Sequence, residues 1–138
     1  MKKTRIIIAR PGEDAFVTEI TPDANILKKL VGGHISESHP LGPDVAILCD
    51  CEGKQHNRLP NRYLTGKHAK ALIDKGWNVD IYAGSIVIIG SNKEGFLSLT
   101  DEQIAFYLDV YGEPQFMCDW DLDTSERSRK LCLIHCMC

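Results

Sequence analysis

The apolar residues at the start of the chain follow the pattern of a β-hairpin. Residues 4–9 contain three consecutive isoleucines, and β-branched residues of this kind favour strands. The turn-forming sequence Pro11-Gly12-Glu13-Asp14 follows, and apolar and polar residues then alternate over 16–20. We therefore expect two antiparallel strands joined by this turn.

Three later segments have the apolar spacing and the end signals of amphipathic helices. In the first, Thr21-Pro22-Asp23 supplies a hydroxyl cap, a proline at the first helical position and a first-turn acid, and Gly32-Gly33 ends the helix. The second covers about residues 66–75, with glycine as its stop. The third begins with the capping box Thr100-Asp101-Glu102-Gln103. Its apolar stripe consists of Ile104, Tyr107, Leu108 and Tyr111.

Four further segments predict strands: one that begins at Ile35, then 45–49, 79–82 and 86–89. The runs 45–49 and 86–89 are apolar throughout, which is typical of strands buried on both faces. Residues 51–64 are polar and predict an irregular loop. We expect a single α+β domain over 1–112, with a mixed, mostly antiparallel sheet of about six strands and three helices packed on it. Residues 113–138 then form an appended tail, acidic at first and rich in cysteine at its end.

The charge and the apolar runs of the chain argue against two classes of function, nucleic-acid binding and membrane insertion. The chain has 138 residues, with 19 acids against 16 lysines and arginines and a formal charge of −3. Such a charge gives no broad basic footprint, so a nucleic-acid partner is not favoured. No stretch reaches the ~18–20 apolar residues of a membrane helix, and the short apolar run after the first lysines does not make a signal peptide. We expect a cytoplasmic protein that does not enter the membrane.

Six cysteines are too few for a secreted disulfide scaffold, and we expect them to be reduced. Cys132, His135, Cys136 and Cys138 are too crowded to complete one zinc tetrahedron by themselves. A zinc site that adds Cys49 and Cys51 to this group stays open as an alternative. The acids Asp119, Asp121 and Asp123 do not make a calcium loop, because its sixth and twelfth positions would hold Thr124 and Lys130. We therefore assign no metal ligand and no cofactor.

The sequence contains no recognisable catalytic constellation. Ser85 follows Gly84 but lacks the G-x-S-x-G pattern of a nucleophile elbow. Phosphate-loop, dinucleotide and H-E-x-x-H patterns are absent as well. A cysteine such as Cys49 could act with a histidine, yet nothing in the sequence places such a pair together. We assign no catalytic residue, and a cysteine- or metal-dependent enzyme is kept only as an alternative.

The predicted loop around residue 60 offers the best candidate for ligand binding. Arg58 and Arg62 offer planar guanidinium donors for a carboxylate or phosphate, Asn61 donates and accepts, and Tyr63 offers a stacking face. Gly84 would allow a ligand to approach the backbone closely. The structural alternative is that Arg62 pairs with an acid of its own sheet and Asn61 ends a turn.

Four segments together carry a family resemblance: Lys28-Lys29-Leu30-Val31-Gly32-Gly33, Pro60-Asn61-Arg62, residues 80–90, and residues 98–104. In this order they resemble a family of small uncharacterised proteins encoded by bacteria, plasmids and phages, known only as a domain of unknown function. The resemblance covers about residues 4–112. It implies an intracellular context, often on a mobile element, and it assigns no catalytic residue.

These observations together predict a non-catalytic binding or regulatory protein of mobile-element type. It would engage a host protein or a small anionic, nucleotide-like ligand through the candidate loop, and the family context suggests a role in counter-defence. Self-association is left open. The alternative from another class is a nucleic-acid-associated protein that uses the basic residues Lys2, Lys3, Arg5, Arg10, Arg58 and Arg62.

Overall fold

Eight strands and two helices make up the described part of the chain, which in this computed structural model covers residues 3–50, 52, 59–63, 70–71, 74–75 and 81–115. In chain order they are β1 (Thr4–Ala9), β2 (Phe16–Ile20), α1 (Ala24–Val31), β3 (Ile35–Ser38), β4 (Val45–Asp50), β5 (Pro60–Tyr63), β6 (Ile81–Ala83), β7 (Ile86–Asn92), β8 (Gly95–Leu97) and α2 (Asp101–Tyr111). The α+β class is confirmed, and so is the hairpin at the start of the chain.

Six of the strands form one sheet in the order β2-β1-β7-β4-β3, with β8 paired to the far end of β7. All strand pairs among the described residues are antiparallel. Ile88 of β7 lies opposite Ile7 on one side and Ile47 on the other, so β7 is a central strand. The remaining strands, β5 and β6, form a separate two-stranded sheet.

Both faces of the large sheet are covered, which explains why β4 and β7 have apolar runs instead of alternation. One face packs against α1 and contains Ile6, Ile8, Leu27, Val31, Ala46, Leu48, Val87 and Ile89. The other face packs against α2 and β6 and contains Ile7, Ala9, Val45, Ile47, Cys49, Tyr82, Ile86, Ile88, Leu99, Tyr107 and Tyr111. The domain therefore has three layers, with the sheet in the middle.

The helix ends follow local capping chemistry, with one correction. The carboxylate of Asp23 accepts a hydrogen bond from the Ile26 N–H at 2.9 Å, so Asp23 is the N-cap of α1 and the predicted cap at Thr21 is wrong. Gly32 ends α1 in the left-handed conformation, with φ of 84°, as its sequence predicts. The capping box between Thr100 and Gln103 at the start of α2 is confirmed.

Two of the predictions for the middle of the chain need correction. The described residues contain two helices rather than three. Most of the predicted helix over about 66–75 lies outside the described residues. Within that range, the described residues 70, 71 and 74 are helical. The predicted loop over 51–64 contains the strand β5, which pairs with β6. This strand escapes a search for apolar patterns because Asn61 and Arg62, its central residues, are polar.

Cys49 is disulfide-bonded and buried, so the prediction of reduced cysteines is wrong at this position. The other five of the six cysteines lie outside the described residues. The tail from residue 116 onward, including the candidate zinc ligands, also lies outside the described residues. Within the described ranges, no helix has the length and apolar character needed to cross a membrane.

Candidate functional site

Asn61 and Arg62 are buried neighbours on β5, with 0% of each residue exposed. Successive residues of a regular strand point to opposite faces, so two adjacent buried polar side chains need a local irregularity. The pairing of β5 with β6 supplies it. Pro60 pairs with Ala83 and Arg62 pairs with Tyr82, while the register shifts between Pro60 and Arg62 and leaves Asn61 without a strand partner. Such a bulge redirects a side chain, here the amide of Asn61.

The amide of Asn61 connects three parts of the chain. Its Nδ2 donates to the Ala9 carbonyl at the end of β1 and to the Gly84 carbonyl between β6 and β7, both at 2.8 Å. Its Oδ1 accepts from Nη1 of Arg62 at 2.6 Å. Gly84 has a positive φ of 80°, and its N–H donates to the Leu59 carbonyl at 2.8 Å. The positive φ favours glycine at position 84 whether or not a ligand approaches.

The guanidinium of Arg62 donates to backbone carbonyls from two distant segments. Nε donates to the Tyr111 carbonyl at 2.8 Å, and Tyr111 is the last residue of α2. Nη1 donates to the Arg10 carbonyl at 3.3 Å, and Nη2 donates to the Glu13 carbonyl. Because the carbonyls at a helix C-terminus lack intrahelical donors and lie at the negative end of its dipole, a cation is stabilised there.

Among the described residues, the acceptors of the Arg62 guanidinium are these carbonyls and the Asn61 amide oxygen, and none is a carboxylate. Burial lowers the pKa of its guanidinium, and the negative charge of Asp14 opposes that shift. An arginine pKa is so high that the group stays charged at neutral pH. The ion pairs within the described ranges join Arg5 to Asp101 and His39 to Glu37. Within the part of the chain that the structure describes, Arg62 therefore does not form the expected pair with an acid of its own sheet.

The structure brings three of the predicted binding residues together: Asn61, Arg62 and Gly84, which we call the Asn61–Arg62 cluster. They do not lie on a surface loop, and their polar groups face the protein's own backbone. Tyr63 ends β5 opposite Ile81, and Arg58 lies outside the described residues. Ligand binding at this cluster stays a prediction.

The Asn61–Arg62 cluster fixes the turn between β1 and β2 to the end of α2. Arg62 binds the turn through Arg10 and Glu13, and it binds the helix through Tyr111. One residue beyond Tyr111, the Gly112 carbonyl accepts a hydrogen bond from the Ala15 N–H at 2.8 Å. Ala15 directly precedes β2, so the cluster positions the start of that strand.

The strand β2 is the second candidate site, and the sequence pattern did not single it out. It ends the sheet, and no described residue pairs with its outer side, which we call the β2 edge (residues 16–20). Phe16 is 38% exposed and Val17 is 40% exposed. The guanidinium carbon of Arg10 lies 5.2 Å from the centre of the Phe16 ring. The alternation expected over 16–20 is broken by the adjacent apolar pair at 16 and 17, and this pair was the available signal.

Exposed acids surround the β2 edge. Residues 11–23 contain no lysine or arginine, and their acids are all exposed: Glu13, Asp14, Glu19 and Asp23. Arg5 lies across the strand pair from Glu19, but its guanidinium donates to Asp101 at 2.6 Å and to the Leu99 carbonyl at 2.9 Å. The Arg5 guanidinium is therefore bonded to Asp101 and Leu99 and not to Glu19, whose side chain is exposed on β2.

The opposite end of the sheet has a different surface. On β3, Ser36 is buried, and Glu37 lies 2.7 Å from Nε2 of His39. Nδ1 of the same histidine lies 3.1 Å from the Val45 carbonyl. Charged and polar groups of this kind discourage pairing with another strand.

Among the described residues, no group of three or more histidines, cysteines, aspartates and glutamates could hold a metal ion.

Comparison with models of protein families matches residues 1–112 to a model described as Domain of unknown function (DUF3846). The match spans every helix and strand that the structure describes. No curated protein and no solved structure matches the chain. A function has therefore to be inferred from the geometry itself.

Proposed function

The chain belongs to this family of unknown function, and we propose that it is a non-catalytic binding protein that docks another protein along the β2 edge. The observation that carries the proposal is the exposure of Phe16 and Val17 on a terminal strand whose outer side has no partner among the described residues. A host protein and a role in counter-defence, as the family context suggests, are compatible with such a surface.

An open strand edge can bind an extended segment through its backbone. The N–H and C=O groups that do not bond β1 point outward along β2 and can form a new ladder with a partner strand. Phe16 and Val17 lie opposite Ile8 and Ile7, and successive side chains project from opposite faces of the sheet. A partner strand would therefore gain apolar contacts on both faces.

A protein partner fits the structure better than a small anion bound to Arg62. Nε, Nη1 and Nη2 of Arg62 already donate to carbonyls, and both donors of the Asn61 amide are used. An anion would have to replace these hydrogen bonds and reach a buried residue. Breaking buried hydrogen bonds costs about 1–3 kcal/mol for each group left unpaired.

Peptide selection followed by hydrogen exchange tests the proposal. Random peptides are selected for binding to the full chain, and we expect the selected peptides to slow amide exchange within residues 16–20. Val17→Glu should abolish binding, because it places a charge among the apolar contacts. Leu97→Glu is the matched control, since Leu97 is 41% exposed on β8. Selected peptides that protect other residues, or that bind Val17→Glu equally well, would refute docking at β2.

A further inference from the structure

The charge around the β2 edge identifies the chemistry of the partner strand. We infer that this edge binds an extended peptide segment in which basic residues alternate with apolar ones. The inference rests on the proposed docking at β2 and specifies what docks there.

Apolar and acidic side chains lie side by side at this surface. Phe16 and Val17 offer apolar contact, whereas Glu19 carries its charge on the same short strand. Glu13 and Asp14 lie just before β2, and Asp23 follows just after it. A strand laid along β2 would therefore pass acids at both ends and one acid within the strand, with the apolar pair between them.

Electrostatic complementarity then sets the sign of the partner. A peptide with lysine or arginine opposite these acids gains attraction, while an acidic peptide meets like charges at close range. The guanidinium of Arg10 lies over the Phe16 ring at the start of β2, and the exposed Lys3 directly precedes Thr4, which pairs with Ile20 at the end of β2. Within residues 11–23, the charged residues are all exposed acids.

A second copy of the chain is a poorer occupant. A two-fold antiparallel pairing of β2 centred on Thr18 would place Val17 of each copy opposite Glu19 of the other. It would also bring the acids of both 11–23 segments to one interface, without a lysine or arginine from either segment. Like charges brought together in this way oppose association.

The first part of the chain's own tail does not complement the charge of the β2 edge either. Its first part carries Asp119, Asp121 and Asp123 at every second position. An extended segment of that sequence would set a row of acids beside the acids around β2. Further along, the basic residues of Arg127-Ser128-Arg129-Lys130 are followed by apolar residues and do not alternate with them, so a basic segment from another protein fits better.

A panel of matched peptides tests the inference on the full chain. Three peptides of about six residues, typical strand length, alternate valine with lysine, with glutamate or with serine. Fluorescence anisotropy measures their affinity, and hydrogen exchange shows whether amides of residues 16–20 become protected. We expect the lysine peptide to bind about tenfold more tightly than the serine peptide and the glutamate peptide not to bind. The lysine peptide's advantage should shrink as salt is added.

Charge reversal on the protein gives the reciprocal test. Glu19→Lys should remove the preference for the lysine peptide and allow the glutamate peptide to bind. Glu94→Lys is the matched control, because Glu94 is an exposed acid in the turn between β7 and β8 and should leave the preference unchanged.

The outcomes separate the two proposals. If the serine or glutamate peptide binds as well as the lysine peptide and protects β2, docking stands and the basic partner is wrong. If none of the peptides, and no peptide from the random selection, protects residues 16–20, docking at β2 fails as well. A concentration-dependent dimer of the full chain that is lost in Val17→Glu would show that the occupant is a second copy, and it would overturn the basic partner.

Discussion

The Asn61–Arg62 cluster and the β2 edge reverse the usual placement of side chains. Arg62 and Asn61 are fully buried, while Phe16 and Val17 are more than a third exposed. The difference lies in the surroundings of each strand. Carbonyls from β1, the following turn and α2 converge on β5, whereas β2 has a neighbour on one side within the described ranges. Position in the fold, more than residue type, thus decides exposure here.

The Asn61–Arg62 cluster contributes to the stability of the fold, whereas the β2 edge offers a binding surface. The cluster joins segments that are about fifty residues apart in sequence, so a substitution there should weaken the whole fold. The β2 edge makes few internal contacts with its exposed side chains, so a substitution there should leave folding intact and change association.

The largest effect is expected for Arg62→Met. The substitution removes the donors to Tyr111, Arg10 and Glu13 from a buried position, and we expect the free energy of unfolding to fall by about 3 kcal/mol or more. Urea denaturation followed by circular dichroism measures the change. Arg10→Met is the matched control and should cost less than about 1 kcal/mol, because Arg10 is exposed and loses mainly its contact with Phe16. Equal costs at the two arginines would contradict the assigned role of Arg62.

Alkaline pH should weaken the same layer through Tyr107 of α2. Burial, with a smaller contribution from Asp44, raises the pKa of Tyr107 to about 12. Because the unfolded tyrosine has a pKa of about 10, the folded state holds the proton more tightly. This stabilisation is fully present below pH about 10 and is lost as the pH rises to about 12, a change on the order of 2 kcal/mol.

Tyr107→Phe provides the control for this pH dependence. Denaturation of both proteins across that range should show a shallower loss of stability in the variant, because the titrating hydroxyl is gone. Tyrosinate absorbance of the folded wild type should contain a late-titrating component that is lost in Tyr107→Phe. A pH dependence that is identical in both proteins would assign the alkaline loss to other groups.

A smaller effect is expected at the other end of α2. Thr100→Ala removes the hydroxyl that accepts the Gln103 N–H at 3.1 Å, and we expect a loss of about 1 kcal/mol. Thr100→Ser keeps the hydroxyl and should retain most of the stability. Arg62 binds the C-terminal end of the same helix. If Thr100→Ala lowered the free energy of unfolding as much as Arg62→Met, the contacts at the two ends of the helix would contribute equally to stability.

The smallest effect on folding is expected at the β2 edge itself. Val17→Thr keeps the branched shape and β-propensity of a half-exposed side chain, and the free energy of unfolding should change by less than about 0.5 kcal/mol. The same denaturation assay measures it, alongside the affinity for the lysine peptide, which should fall. A large loss of stability would show that Val17 belongs to the core and not to a binding surface.

Much of the fold could be predicted from local sequence signals. The hairpin of β1 and β2, the end of α1 at Gly32 and the capping box of α2 each depend on residues a few positions apart. The apolar runs predicted that β4 and β7 are buried on both faces, and they are. Family membership could also be predicted from short segments, and the match over 1–112 confirms it.

The candidate site could be predicted only as a set of residues. The sequence singled out Asn61, Arg62 and Gly84, and the structure brings them together. It did not predict that they are buried, because a polar pair in a strand has the same local pattern as a polar loop. The disulfide at Cys49 was also missed, because the number and spacing of cysteines do not by themselves say which of them pair.

The sequence by itself determined the end of α1, the start of α2, the hairpin and the apolar strands, because capping, turn and strand signals each act over a few neighbouring residues. Only the tertiary structure decided that Arg62 lies inside, bound to carbonyls of β1's turn and of α2, and that β2 lies at the rim of the sheet. Those facts follow from strand order. Strand order depends on pairings between distant segments, such as β1 with β7, which no local pattern specifies.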